Sequence, residues 1–60
     1  MWNVIWVTAE AEQVTQVLDA FKKAEILTKC KTFLDDERLF YEVSVPAAET
    51  GAALEILAIM

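Results

Sequence analysis

The sequence predicts a small α+β domain with the element order β-α-β-β-α, and two patterns carry this prediction. Apolar side chains recur at i, i+3, i+4 and i+7 within residues 10–25, which is the stripe of an amphipathic helix. Residues 27–34 and 39–45 alternate between apolar and polar side chains on either side of a short acidic turn, which is typical of a β-hairpin. With 60 residues the chain has room for one domain, residues 1–60.

The first strand is expected at residues 2–7, where Val, Ile and Trp follow one another with only Asn3 as an exception. A run without alternation indicates a strand covered on both faces. Thr8 is a candidate N-cap for the helix that follows, roughly residues 10–25. The stripe of this helix is formed by Val14, Val17, Leu18 and Phe21.

A hairpin turn centred on Asp36 and Glu37 sets the register of strands two and three. The opposed pairs are then Leu34 with Leu39, Phe33 with Phe40, Thr32 with Tyr41, Lys31 with Glu42, and Cys30 with Val43. The aromatic pair and the opposite-charge pair share one face, each contributing ~0.2–1 kcal/mol. The other face receives Leu34, Leu39, Tyr41, Cys30, Val43 and Val45, and Cys30 is expected to pack in the core.

Pro46 ends the third strand, and residues 47–60 are expected to form a second helix with Leu54 and Leu57 pointing inward. Ile56 and Met60 are further inward candidates. Gly51 in this helix costs ~1 kcal/mol relative to Ala. Either a close approach of two backbones or a frayed helix start accounts for it.

A right-handed strand-helix-strand crossover predicts a ferredoxin-like half-sandwich that lacks the last strand. We expect strand one to pair in parallel with strand three, sheet order 1-3-2, and both helices on one face. Strand two is then an edge protected by Lys29 and Lys31. Strand one is the other edge, and it carries no charge and two tryptophans.

Composition predicts that the domain associates with itself. Hydrophobic residues make up 57% of the chain, the only cysteine is Cys30 and there is no histidine, so neither an internal disulfide nor a structural zinc site stabilises it. We therefore expect a homo-oligomer, most simply a dimer, formed through the open sheet face or the strand-one edge. The predicted interface residues are Trp2, Val4, Trp6, Phe33 and Phe40.

The charge indicates which partners to expect, and the absence of sorting signals indicates the cellular compartment. A net charge of −5 argues against nucleic-acid partners and anionic membranes. No signal peptide and no apolar run of ~20 residues is present, and together with the free thiol this predicts a cytoplasmic protein. No cofactor and no metal is expected.

Candidate sites are few. Lys29, Lys31 and Arg38 could hold an anion beside the aromatic pair, but edge protection together with the Lys31–Glu42 pair is the simpler interpretation. The acidic run 35–37 could bind a hard cation, but a solvated turn is the simpler interpretation.

The expected function is a structural or regulatory interaction module. The alternative is a small-molecule sensor with its ligand at the subunit interface. An enzyme is not expected, because there is no His, no Gly-rich phosphate loop and little room for a pocket of ~300 Å³. An active site assembled between subunits from carboxylates and Lys29 or Lys31 is the remaining catalytic option.

Landmarks along almost the whole chain resemble the bacterial family of prokaryotic signal-transducing proteins. The matching segments are Trp2-Asn3-Val4-Ile5-Trp6-Val7, the helix start after Ala9, Tyr41-Glu42-Val43-Ser44-Val45-Pro46, and Glu55-Ile56-Leu57. These are single β-α-β-β-α domains whose biochemical role is not established. The resemblance implies the same fold and a part in signalling, and it assigns no functional residue.

Overall fold

The computed structural model describes residues 1–60 and has the predicted element order. The elements are β1 (Trp2–Thr8), α1 (Ala11–Lys23), β2 (Lys29–Asp35), β3 (Arg38–Pro46), a 3-10 turn (Ala47–Glu49) and α2 (Thr50–Ile59). The three strands form one sheet in the order β1-β3-β2, so the α+β class and the sheet order are confirmed. Both helices pack on the side of the sheet that carries Val43 and Val45.

The predicted parallel pairing of β1 with β3 is wrong, because β3 is antiparallel to both of its neighbours. The reason is topological. The crossover through α1 returns the chain to the end of the sheet where β1 began, so β2 runs parallel to β1. The hairpin then reverses the chain, and β3 enters between two strands that run opposite to it.

The predicted hairpin register is confirmed from Cys30 opposite Val43 to the last pair before the turn. Asp36 and Glu37 form the turn with φ of 52° and 64°. Positive φ at both central positions is the type I′ geometry, whose twist matches that of the flanking strands. Asp36 is among the residues that type I′ turns favour at the first central position, whereas Glu37 stands where Gly is favoured, so the strain of the turn lies at Glu37.

A β-bulge at Ile5 makes β1 irregular, because the register with β3 shifts between Val4 and Trp6. Trp2 and Val4 therefore lie on the face away from the helices. Trp6 lies opposite Val43 and packs against the core. Trp2 and Trp6 would share a face only in a regular strand, and here they lie on opposite faces.

The core is small and is built mainly from α1 and β3. Its buried members are Val17, Phe21, Ile26, Val43, Val45 and Ala53, and the predicted stripe of α1 is confirmed. The end of α1 is closed by backbone hydrogen bonds from Ile26 N–H to the Phe21 carbonyl (2.9 Å) and from Glu25 N–H to the Lys22 carbonyl (3.0 Å). This is a Schellman motif with Glu25 in the left-handed position, at φ 59°.

The start of α1 differs from the prediction in one detail. Glu10, not Thr8, occupies the N-cap position, and it makes no side-chain capping bond. The Thr8 hydroxyl instead accepts a hydrogen bond from the Glu10 N–H at 3.1 Å.

The inward face of α2 agrees with the prediction at Ile56 and Leu57 and differs from it at Leu54 and Met60. Ala53 is fully buried, whereas Leu54 is 49% exposed, and Ile56 and Leu57 are partly buried against the core. Ala53, Ile56 and Leu57 are spaced i, i+3 and i+4 and so form one stripe of the helix, and Leu54 lies beside that stripe. A Cβ at Gly51 would meet no atom within 4 Å, so no close backbone approach within the chain explains this glycine.

The helix side of the hairpin is uncovered, contrary to the expectation that its residues pack in the core. Leu34 is 72% exposed, Leu39 is 44% exposed, and Cys30 is exposed as well. Both helices lie over β1 and β3, and every residue of β2 is exposed. Of the predicted inward set, only Val43 and Val45 are buried.

Replacing Glu37 with Gly should raise the free energy of unfolding by about 1 kcal/mol, because Gly adopts positive φ without steric cost. Equilibrium urea unfolding measures the change. Glu37→Gln is the matched control, since it removes the charge but keeps the side chain, and it should recover little of the gain. Equal gains from both variants would assign the effect to charge.

The bulge predicts that the two tryptophans differ in their contribution to stability. Trp6→Ala should lower the free energy of unfolding by about 2 kcal/mol, because it removes packing from the core. Trp2→Ala should change the stability of the monomer by less than about 1 kcal/mol. Urea unfolding at the same low protein concentration compares them, and equal losses would contradict the bulged arrangement.

Candidate interaction surface

The sheet surface away from the helices is the candidate functional site, and we call it the open face. By strand register it carries Trp2, Val4, Val7, Lys29, Lys31, Phe33, Asp35, Arg38, Phe40 and Glu42. Most of its apolar members are exposed, with Val4 at 52%, Trp2 at 41% and Phe33 at 39%, whereas Phe40 is half-buried. Four of the five predicted interface residues lie here, and Trp6 is the exception.

Aromatic rings organise the open face. The Phe33 and Phe40 rings stack with centroids 5.5 Å apart and an interplanar angle of 17°. The Arg38 guanidinium lies 5.8 Å from the centroid of Phe40. At the other end of the hairpin the Lys29 ammonium lies 4.5 Å from the Trp2 ring. Two of the three cations are thus held against rings, an arrangement worth ~0.5–1 kcal/mol at exposed sites.

Lys31 and Glu42 are opposite each other across the sheet, as predicted, but they form no ion pair. The structure has one ion pair within 4.0 Å, between Asp19 and Lys23 of α1 at 3.1 Å. Both Lys31 and Glu42 therefore present unpaired charge on the open face. Opposite charges in the middle of an otherwise aromatic surface are available to a partner.

Two of the three candidate anion-binding residues, Lys29 and Lys31, are neighbours on the open face, but Arg38 is not brought to them. The register places the Phe33–Phe40 pair between Lys31 and Arg38, so the two cations stand two cross-strand rows apart, about 13 Å at strand spacing. Lys29 and Arg38 already lie against aromatic rings. No depression of the surface includes any of the three.

Charge is unevenly distributed over the molecule. The open face carries three of the five basic residues and two acidic ones, Asp35 and Glu42, whereas the rest of the chain carries two basic and eight acidic residues. The open face therefore has a small net positive charge, whereas the rest of the molecule has a net negative charge. This contrast is invisible in the net charge alone.

Two open depressions lie on the helix side, contrary to the expectation that the domain has little room for one. The larger, about 640 Å³, lies between the end of α1 and β2 and includes Leu18, Lys22, Ile26, Leu27 and Cys30. The smaller, about 280 Å³, lies beside Trp6 and Leu57. Sequence reasoning missed the larger one because it assumed that a helix covers β2. The sequence did contain a signal for it. Two short helices cannot cover Leu27, Leu34 and Leu39 in addition to the rest of the sheet.

The remaining candidates of the sequence have no support in the geometry. No group of three or more Cys, Asp or Glu side chains is placed to hold a metal ion, so the carboxylates of residues 35–37 do not form a cation site. Cys30, which was expected in the core, is exposed on the helix side, and Lys29 and Lys31 point to the opposite face. Neither helix combines the length and apolar character needed to cross a membrane.

No protein-family model, no curated protein and no solved structure matches this chain. The resemblance to the prokaryotic signal-transducing proteins therefore stays a prediction.

Proposed function

We propose that the protein is a small self-associating interaction module whose open face forms a two-fold symmetric dimer. The observation that carries the proposal is the uncovered aromatic and aliphatic surface of that face. Because the opposite side of the sheet is packed by helices, nothing within the chain is placed to cover it. The whole molecule measures 33 by 24 Å along its two longest axes, so the open face can at most approach the ~800 Å² that each partner buries in a standard interface.

The poor compactness of the single chain supports a need for a partner. The accessible surface is 4346 Å², and about 3950 Å² is expected for a folded monomer of this mass. Of the 60 residues of the chain, seven are buried hydrophobic residues. Dimer formation would add apolar burial that a core of this size lacks.

The charges of the open face favour a second copy over a purely acidic or purely basic partner. In a two-fold interface each residue meets its counterpart reciprocally, so a surface has to be complementary to itself. Unpaired Lys31 and Glu42 meet this requirement, since Lys31 of one copy can pair with Glu42 of the other. A face with only cations would repel its own copy.

The β1 edge is the less favourable route to association. Its outer side is uncharged, as the sequence predicted, but the bulge at Ile5 interrupts it. A bulge twists an edge strand away from the geometry needed to pair with a strand of another chain, and bulges are known to protect edges against such pairing. The open face, by contrast, is continuous across all three strands.

The proposed role is regulatory or structural and not catalytic, and the resemblance extends the proposal to cytoplasmic signalling in a bacterium. The sequence supplies no His and no nucleophile with an adjacent base. Sensing of a small anion at the dimer interface is the alternative, and it has less support because Lys31 and Arg38 stand apart. A thermal-shift screen with anionic metabolites examines it, and a shift that Lys31→Gln abolishes would favour sensing.

Phe40→Glu should disrupt the dimer, because it places a charge in the centre of the aromatic surface. Sedimentation velocity and light scattering should give a dimer for the wild type and at least a tenfold weaker association for the variant. Thr15→Glu on the exposed side of α1 adds the same charge elsewhere and is the matched control. A wild type that stays at 6.8 kDa at high micromolar concentration while unfolding cooperatively would refute the proposal.

A further inference from the structure

We infer that a second self-association surface lies on the helix side of the hairpin, where α2 of another copy docks. We call this surface the hairpin groove, and it consists of the larger depression together with the Leu34–Leu39 pair, which lies further along the same face of the hairpin, beyond the Thr32–Tyr41 pair. It lies on the opposite side of the sheet from the open face. The inference extends the proposed self-association but does not depend on the open face.

The hairpin groove is apolar and uncovered. Leu27 is 70% exposed, Leu34 is 72% exposed and Leu39 is 44% exposed. Leu18 and Ile26 continue this surface toward the core. Exposed apolar patches with a polar rim are typical of interaction sites in small soluble domains.

The exposed side of α2 has matching chemistry. Leu54 is 49% exposed, Ile59 is 85% exposed and Met60, directly after the helix, is 56% exposed. The only charged residue of α2 is Glu55. A helix that is apolar on all sides is normally buried, yet one side of α2 is open.

Charge and length favour α2 as the occupant. Lys22 and Glu25 line the groove, and neither has an ion-pair partner. Glu55 is the one charge that α2 brings, so docking has to place it on the Lys22 side of the groove, where the two can pair, and away from Glu25, which would repel it. Ten helical residues span about 15 Å, and the seven residues of β2 span about 23 Å, so the helix fits along the strand.

The α2 helix of the same chain does not reach this groove. Ala53 anchors it in the core, and Ile56 and Leu57 hold it over β1 and β3. Its outer side therefore faces away from the molecule, and a second copy has to supply the helix. The contact joins two different surfaces, so it produces a reciprocal dimer, a ring or an open chain.

A charge-pair complementation experiment tests the contact. Leu34→Lys places a cation in the groove and Leu54→Glu places an anion on α2. Both positions are exposed, so the fold should persist, and far-UV circular dichroism checks this. Sedimentation velocity should show at least tenfold weaker association for each variant alone and recovery in an equimolar mixture.

The control mixture combines Leu34→Lys with Thr15→Glu, whose added acid lies on α1, and it should not recover. Unchanged association of both single variants, or no recovery in the first mixture, overturns the inference. Phe40→Glu reports on the open face independently. A loss caused only by Phe40→Glu leaves the proposed function standing and removes the hairpin groove.

Cys30 provides a second readout because it is the only cysteine and lines the groove. Docking of α2 should slow its reaction with Ellman's reagent about tenfold as protein concentration rises. In Leu54→Glu the rate should stay at the dilute value. A reaction rate that does not depend on the wild-type protein concentration overturns the inference. The same result is expected if a different protein fills the groove.

Discussion

The position of β3 between two antiparallel neighbours is the constraint on which the rest of the structure depends. It is the only strand paired along both edges, and its Val43 and Val45 are fully buried. Both helices pack over β3 and β1, so the core occupies one part of the sheet and the hairpin projects beyond it. The open face and the hairpin groove are the two sides of the sheet that this arrangement leaves uncovered.

The sequence was informative wherever apolar and polar residues alternate with a clear period. The stripe of α1 identified three of the buried residues, and the alternation on both sides of Asp36 and Glu37 was sufficient for the full hairpin register. A slip by one residue would have exchanged the two faces of the hairpin, which makes such a register strongly specified. For the same reason Phe33 and Phe40 were correctly expected together on the face away from the helices.

The segments that sequence reasoning misjudged are those in which apolar residues occur on every side. In β1 a run without alternation gives no preference between faces, so the bulge at Ile5 and the reversal of Trp6 leave no trace in the pattern. In α2 the same uniformity hides the choice of Ala53 over Leu54 as the inward residue. The strand direction was a different error, because it follows from counting chain reversals and not from side chains.

The outer side of α2, one of these uniformly apolar segments, is also a candidate contact surface. A side chain that faces water in the single chain can be polar without cost, and the exposed side of α1 is polar. The outer side of α2 instead carries exposed Leu54 and Ile59 with Glu55 as its only charge, and the open face keeps exposed Trp2 and Val4 among its charged residues. A two-fold contact through the open face closes on itself, whereas a contact between α2 and the hairpin groove joins unlike surfaces and adds further copies. Because most of the acidic charge lies outside both surfaces, it stays in contact with water in either assembly and opposes unlimited growth by repulsion.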